Sequence, residues 1–126
     1  DHNNQTPDYY QTVMPYLIVK DVNEFLDFTQ KVFGADVKMK HTDDDGRIVH
    51  TEITIGDSTL MAGESNQDWS SQPGGLYVNV DSADEIFKKA LNAGAETVLE
   101  LSDKEYGRTG GVKDSNGNTW WITSHR

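Results

Sequence analysis

An internal repeat constrains this chain more than any other feature. Asp21-Val22-Asn23-Glu24-Phe25 opens an amphipathic stretch that ends at Phe33-Gly34-Ala35. Asp81-Ser82-Ala83-Asp84-Glu85 opens a second, ending at Ala93-Gly94-Ala95 with the same Asp-to-Gly separation. A glycine turn follows each copy, at Gly56 and at Gly117, the second offset by one extra residue. A unit this short cannot close a hydrophobic core alone, so the copies must pack together. The space they enclose is where function is to be sought.

The pattern within each copy predicts one helix and four strands. Asp21 with Glu24, and Ser82 with Glu85, form capping boxes at the helix starts. Val22, Phe25, Leu26, Thr29, Val32 and Phe33 make the buried stripe of the first helix, and Gly34 stops it. Strands are expected over residues 13–19, 35–42, 47–55 and 58–62, then 75–80, 96–101, 109–113 and 119–124. Asp43-Asp44-Asp45-Gly46 reads as a solvated hairpin turn; it lacks the pattern and closing Glu of a calcium loop. Residues 102–108 read as a loop, and residues 63–74, with Trp69 and Pro73, as the joint between repeats. The polar, aperiodic residues 1–11 are expected to be a disordered arm. Residues 12–126 then form one domain of two βαβββ repeats, 12–62 and 75–126, which is an α+β fold.

Charge and composition narrow the partners. A net charge of −10 over 126 residues repels phosphate backbones and anionic lipid surfaces, which argues against nucleic acid and membrane partners. No apolar run is long enough to cross a bilayer. The absence of cysteine removes disulfides, thiolate metal sites and cysteine nucleophiles, and fits a cytoplasmic protein. The chain starts at Asp1 rather than Met, which leaves a removed N-terminal segment open.

With that order established, two sets of residues carry a family likeness. One is Tyr106-Gly107-Arg108-Thr109-Gly110-Gly111-Val112-Lys113-Asp114 leading into Gly117-Asn118-Thr119-Trp120-Trp121-Ile122. The other is Pro15-Tyr16-Leu17-Ile18-Val19-Lys20-Asp21, Phe33-Gly34-Ala35 and Gly56-Asp57-Ser58-Thr59-Leu60-Met61. Together they resemble the PhnB-like branch of the vicinal oxygen chelate superfamily, which also holds glyoxalase I, extradiol dioxygenases and bleomycin-resistance proteins. The resemblance implies two βαβββ modules in a curved, partly open barrel with a central cavity, usually completed by a second subunit. It also implies four cavity-facing positions for a divalent ion, which fall here on Met14, Met61, Gly75 and Trp121. Thioether, hydrogen and indole are no ligands for a hard metal ion, so no metal or other cofactor is expected.

Strand alternation assigns the remaining faces. Val13, Leu17 and Val19, Val49, Ile53 and Ile55, Leu76, Val78 and Val80, and Trp120 and Ile122 should face the helices. Met14, Tyr16 and Ile18, His50, Glu52 and Thr54, Thr59 and Met61, Tyr77 and Asn79, and Trp121 and Thr123 should face the cavity. His50 and Glu52 share one side of one strand, where they could clamp a ligand amine, act as acid and base, or merely bond each other. Tyr16, Tyr77 and Trp121 could stack on a planar ligand or fill the volume left by a lost ion. Trp69 reads as a lid or subunit contact, Arg108 as a carboxylate site or a plain surface ion pair, and His41 and His125 as exposed.

The expected function is metal-free binding of a small molecule by a homodimer, with Tyr16, His50, Glu52, Met61, Tyr77 and Trp121 as contacts. The alternative is an enzyme using His50 and Glu52 for acid–base chemistry on a carbonyl-type substrate. A third reading is an interaction module whose cavity has collapsed around Trp121.

Overall fold

The two repeats fold as two separate sheets that share one core. The structure, a computed structural model, describes residues 6–126. Its elements are β1 (Tyr16–Val19), α1 (Val22–Phe33), β2 (Asp36–Thr42), β3 (Ile48–Ile55), β4 (Ser58–Glu64), β5 (Gly75–Asn79), α2 (Ala83–Asn92), β6 (Glu96–Lys104), β7 (Gly107–Lys113) and β8 (Thr119–His125). Strand order is β1-β4-β3-β2 in the first sheet and β5-β8-β7-β6 in the second. The leading strand of each module pairs in parallel with the last, and the other pairings are antiparallel. Among the described residues, no helix is long and apolar enough to cross a membrane.

Both helices start where the capping boxes place them. The Asp21 side chain accepts from the Glu24 amide, and the Ser82 hydroxyl from the Glu85 amide. Gly34 ends α1 in the left-handed conformation, at φ 67°. The buried stripe of α1 is Val22, Phe25, Leu26, Phe28, Thr29 and Val32. Phe28 and Phe33 lie against Trp120 of the other module, with ring centroids 6.1 and 4.8 Å apart. Val19, Ile53, Leu60 and Ala62 of the first sheet and Val112, Trp120 and Ile122 of the second belong to this same cluster. Because both sheets turn their helix-facing sides to one core, their opposite faces are left open.

Several faces and boundaries differ from expectation, each for a local reason. Pro15 cannot donate to a ladder, so β1 starts at Tyr16 and Val13, expected on the helix face, is 83% exposed. A bulge in β3 places His41 opposite His50 but Thr42 opposite Ile48. Val49 is therefore the extra residue; it turns to the open face, and Ile48 takes its place in the core. The loop expected over residues 102–108 is instead a hairpin, with β6 running on to Lys104. Thr123, expected to face the cavity, is buried against the Thr109 hydroxyl at 2.7 Å.

The β7–β8 turn ties the modules together. Asp114 accepts from the Asn116 and Asn118 amides at 2.9 Å and from the buried Trp120 indole at 2.8 Å. Asn116 in turn accepts from the Asp21 amide and donates to the Asp21 carbonyl, just ahead of α1. Asn118 accepts from the Gly74 amide, at the entry to β5.

Asp114→Ala strands these buried donors together. Unpaired buried donors cost roughly 1–3 kcal/mol each, partly relieved by relaxation, so urea unfolding should report a loss of about 3 kcal/mol. The exposed turn substitution Asp44→Ala should stay within about 0.5 kcal/mol of the parent. A loss below about 1 kcal/mol for Asp114→Ala would contradict this assignment.

Candidate functional site

On the open face of the first sheet, one row of side chains runs across all four strands. Tyr16 of β1 is in register with Met61 of β4, Met61 with Glu52 of β3, and Glu52 with Met39 of β2. Residues in register share a face, and His50 joins Glu52 there because it lies two residues away on the same strand. The expected group of Tyr16, His50, Glu52 and Met61 is thus brought together.

Glu52 is the centre of the polar network. It is 2% exposed, and both its oxygens are bonded. The Tyr9 hydroxyl donates to Oε1 at 2.6 Å, the Tyr10 hydroxyl to Oε2 at 2.6 Å, and His50 Nε2 lies 2.7 Å from Oε2. The Tyr16 hydroxyl stands 2.9 Å from His50 Nδ1, with the two rings stacked at 5.4 Å. Burial by itself would raise the Glu52 carboxyl, but the hydrogen bonds from Tyr10, Tyr9 and His50 outweigh it and hold the group below its ordinary value. The same bond to Glu52, helped by burial, pushes the Tyr9 phenol up to about 12. Tyr10 is raised for the same reasons, and Tyr16 by burial and then by the Glu52 charge.

Tyr9 and Tyr10 correct the expectation of a disordered arm over residues 1–11. Residues 1–5 lie outside the described residues, but Tyr9 to Gln11 are pinned to the sheet. Gln11 accepts from the Thr59 amide and donates to the Asp57 and Tyr9 carbonyls, while the Thr59 hydroxyl donates to the Tyr9 carbonyl. Lys38 Nζ, on a second bulged residue, lies 5.8 Å from the Tyr9 ring centroid. Two phenols satisfy a buried carboxylate that His50 alone would leave short of donors.

The second sheet carries its own set. Tyr77 of β5 is in register with Trp121 of β8, which is in register with Gly111 of β7. A Cβ on Gly111 would stand 2.6 Å from the Trp121 ring, so glycine there makes room for the indole. The Tyr77 hydroxyl lies 3.0 Å from His125 Nε2, and the Tyr106 ring lies near the same imidazole, centroid to centroid 5.7 Å. Arg108 is held by Asp84 at 2.8 Å and Asp103 at 3.3 Å, the surface ion pair rather than the anion site.

The two sets do not meet within the chain. A cavity of about 490 Å³ over the first sheet is lined by Tyr16, Ile18, Val49, Glu64, Asn66 and Trp69. Another, of about 670 Å³, lies between β5 and the β3–β4 turn and includes Tyr77, Asn79, Ile55 and Thr59. Among the described residues, neither cavity is lined by both sets.

A hard divalent ion does not fit the donors present. Met14 lies ahead of β1, Met61 offers a thioether, and Gly75 has no side chain, a Cβ there standing 3.9 Å from the Trp121 indole nitrogen. Glu52 already accepts three donors. Among the described residues, no three His, Cys, Asp or Glu side chains group closely enough to hold an ion. Sequence reasoning missed Tyr9, Tyr10 and His125. Only the tyrosine pair in an otherwise polar arm signalled the first two.

Comparison with known proteins matches this geometry to a family. The family model described as Glyoxalase/Bleomycin resistance protein/Dioxygenase superfamily matches residues 8–122. The uncharacterized protein Mb0911c of Mycobacterium bovis is 31% identical over 121 residues, covering 84% of this chain and 78% of that protein. Among solved structures, TioX from Micromonospora sp. ML1 superposes with a TM-score of 0.77 at 24% identity, covering 93% of this chain and 100% of that one. TnmS3, an antibiotic binding protein from Streptomyces sp. CB03234, does so with a TM-score of 0.71 at 16% identity, covering 93% and 100%.

The network makes docking of Tyr9 and Tyr10 dependent on pH from both sides. Glu52, being lowered, contributes stability above its ordinary value and loses it as pH falls through its folded value. Tyr9, being raised, contributes fully below its ordinary value of 10.0 and loses it as pH climbs through about 12. Alkaline absorbance titration should reveal a late phenol ionisation that is missing in Tyr9→Phe and moved back toward 10.0 in Glu52→Gln. Ionisation of Tyr9 at the ordinary value in the parent protein would contradict the network.

Proposed function

This chain belongs to the Glyoxalase/Bleomycin resistance protein/Dioxygenase superfamily, and on that premise we propose that it binds a small organic molecule without a metal ion, as a homodimer whose second subunit completes the cavity. One observation carries the reading: both open faces present aromatic side chains to solvent around a fixed polar network, on donors unsuited to a hard cation. Tyr16 is 48% exposed, Tyr77 53% and Trp121 38%. A monomer rarely leaves such rings uncovered on two sheet faces. Laying the Tyr77–Trp121 face of one subunit against the Tyr16–His50–Glu52 face of another would bury them around one ligand space. Met61 would sit at the floor, beside Glu52 and Tyr16. The likeness to TnmS3, an antibiotic binding protein, supports a scaffold that works by holding its ligand. A cytoplasmic setting suits a chain without cysteine.

The Glu52–His50–Tyr16 chain favours a second reading, an enzyme. A carboxylate orienting an imidazole that faces a phenol is the arrangement of an acid–base relay, with the phenol as donor to a developing oxyanion. Against it, Tyr9 and Tyr10 cap the carboxylate.

Three measurements separate these. Ligand titration should give saturable binding with the ligand recovered unchanged; turnover abolished by His50→Ala would favour the enzyme. Exposure to excess nickel, zinc or iron followed by dialysis should leave far less than one ion per subunit, and stoichiometric retention would end the metal-free reading. Trp121→Glu, at a partly exposed site, should convert the dimer to monomer in sedimentation, with far-UV circular dichroism showing that the subunit stays folded.

A further inference from the structure

We propose that the cavity over the first sheet selects a protonated planar amine, one that donates hydrogen bonds, over neutral or anionic ligands of the same shape. The proposal rests on the small-molecule reading above and names the ligand class of that site. It starts from the direction of the hydrogen bonds. Glu52, an ionised carboxylate, has no proton to give, so His50 Nε2 must be the donor between them. In the neutral imidazole the opposite nitrogen, Nδ1, is then a bare lone pair, and the Tyr16 hydroxyl donates to it. That commits the one proton of Tyr16 inward. What Tyr16 offers the cavity is oxygen lone pairs alone.

The rest of the lining agrees in sign and shape. Among the described residues Glu64 is the charged one of the cavity wall, and Arg47, which does not line it, meets Glu64 at 3.6 Å while donating to the Ser65 carbonyl at 2.7 Å. Among the described residues, neither lysine nor arginine lines the cavity. Asn66 accepts from the Asp68 and Trp69 amides, both at 2.8 Å, which fixes the loop that carries Trp69. Trp69 and Tyr16 therefore stand as aromatic walls, with Ile18 and Val49 as apolar ones, in about 490 Å³. Aromatic faces attract cations, and a net charge of −10 draws them in. An anion would meet Glu64, the Glu52 charge behind His50 and a phenol whose proton is already engaged.

Three ligands on one ring skeleton test this: proflavine (a cation with amino donors), acridine (neutral and without donors at mildly alkaline pH) and acridine-9-carboxylate. Affinities are read by equilibrium dialysis with the intact protein. Proflavine should bind at least about tenfold more tightly than acridine, and acridine-9-carboxylate more weakly than either. Tyr16→Phe, at a half-exposed position, should shrink the advantage of proflavine over acridine several-fold. Glu64→Gln should lower the affinity for proflavine and raise that for the carboxylate. Equal binding of all three, or an unchanged preference in Tyr16→Phe, overturns the ligand class and leaves the binding function standing. No saturable binding of any of the three overturns both.

Discussion

The fold depends on the bond between the Asp114 carboxylate and the buried Trp120 indole. Trp120 is fully buried and touches Phe28 and Phe33, so it joins the first module's helix to the second module's sheet. An indole can be buried that deeply only if its N–H has a partner. Asp114 supplies it from a turn that also positions Asn116 against the Asp21 backbone and Asn118 against the Gly74 amide. One anion thus orders a turn, satisfies the largest core residue and fixes the entry to both α1 and β5.

That shared core decides where chemistry can happen. With both helix-facing sides committed inward, the Tyr16–His50–Glu52 row and the Tyr77–Trp121 pair look outward from different sheets. A burial cost follows for Glu52, which would be unfavourable as an ion without donors. Tyr9, Tyr10 and His50 meet that cost between them, and the residues that cap the carboxylate come from a segment outside both repeats. The site is thus completed by two residues, Tyr9 and Tyr10, that the duplication itself does not contain.

Much of this was legible in the chain. The paired capping residues Asp21 and Ser82 gave the helices, and alternation gave the outward faces of Tyr16, His50, Glu52, Tyr77 and Trp121. Local pattern could not reveal what depends on distant partners. Tyr9 and Glu52 are 43 residues apart, and nothing in a polar arm announces a phenol that will find a buried acid. The hairpin at Glu105–Tyr106 was obscured because its strands are polar and Gly107 weakens the second; that glycine is required where a Cβ would collide with the Ser124 carbonyl. Strict alternation also failed at Val49, since a period of two assumes a ladder without interruptions.

That interruption gives β3 a freedom that a regular strand lacks. Ile48 plugs the core and His50 serves the open face, although an uninterrupted strand would turn both the same way. Val49 acts as a phase shifter between the two stretches. Substitutions can accumulate on the ligand side, downstream of it, without changing which residues upstream fill the interior. Deleting Val49 would bring Ile48 and His50 into plain alternation, one still inward and the other still outward, and would take away only the local kink that separates them.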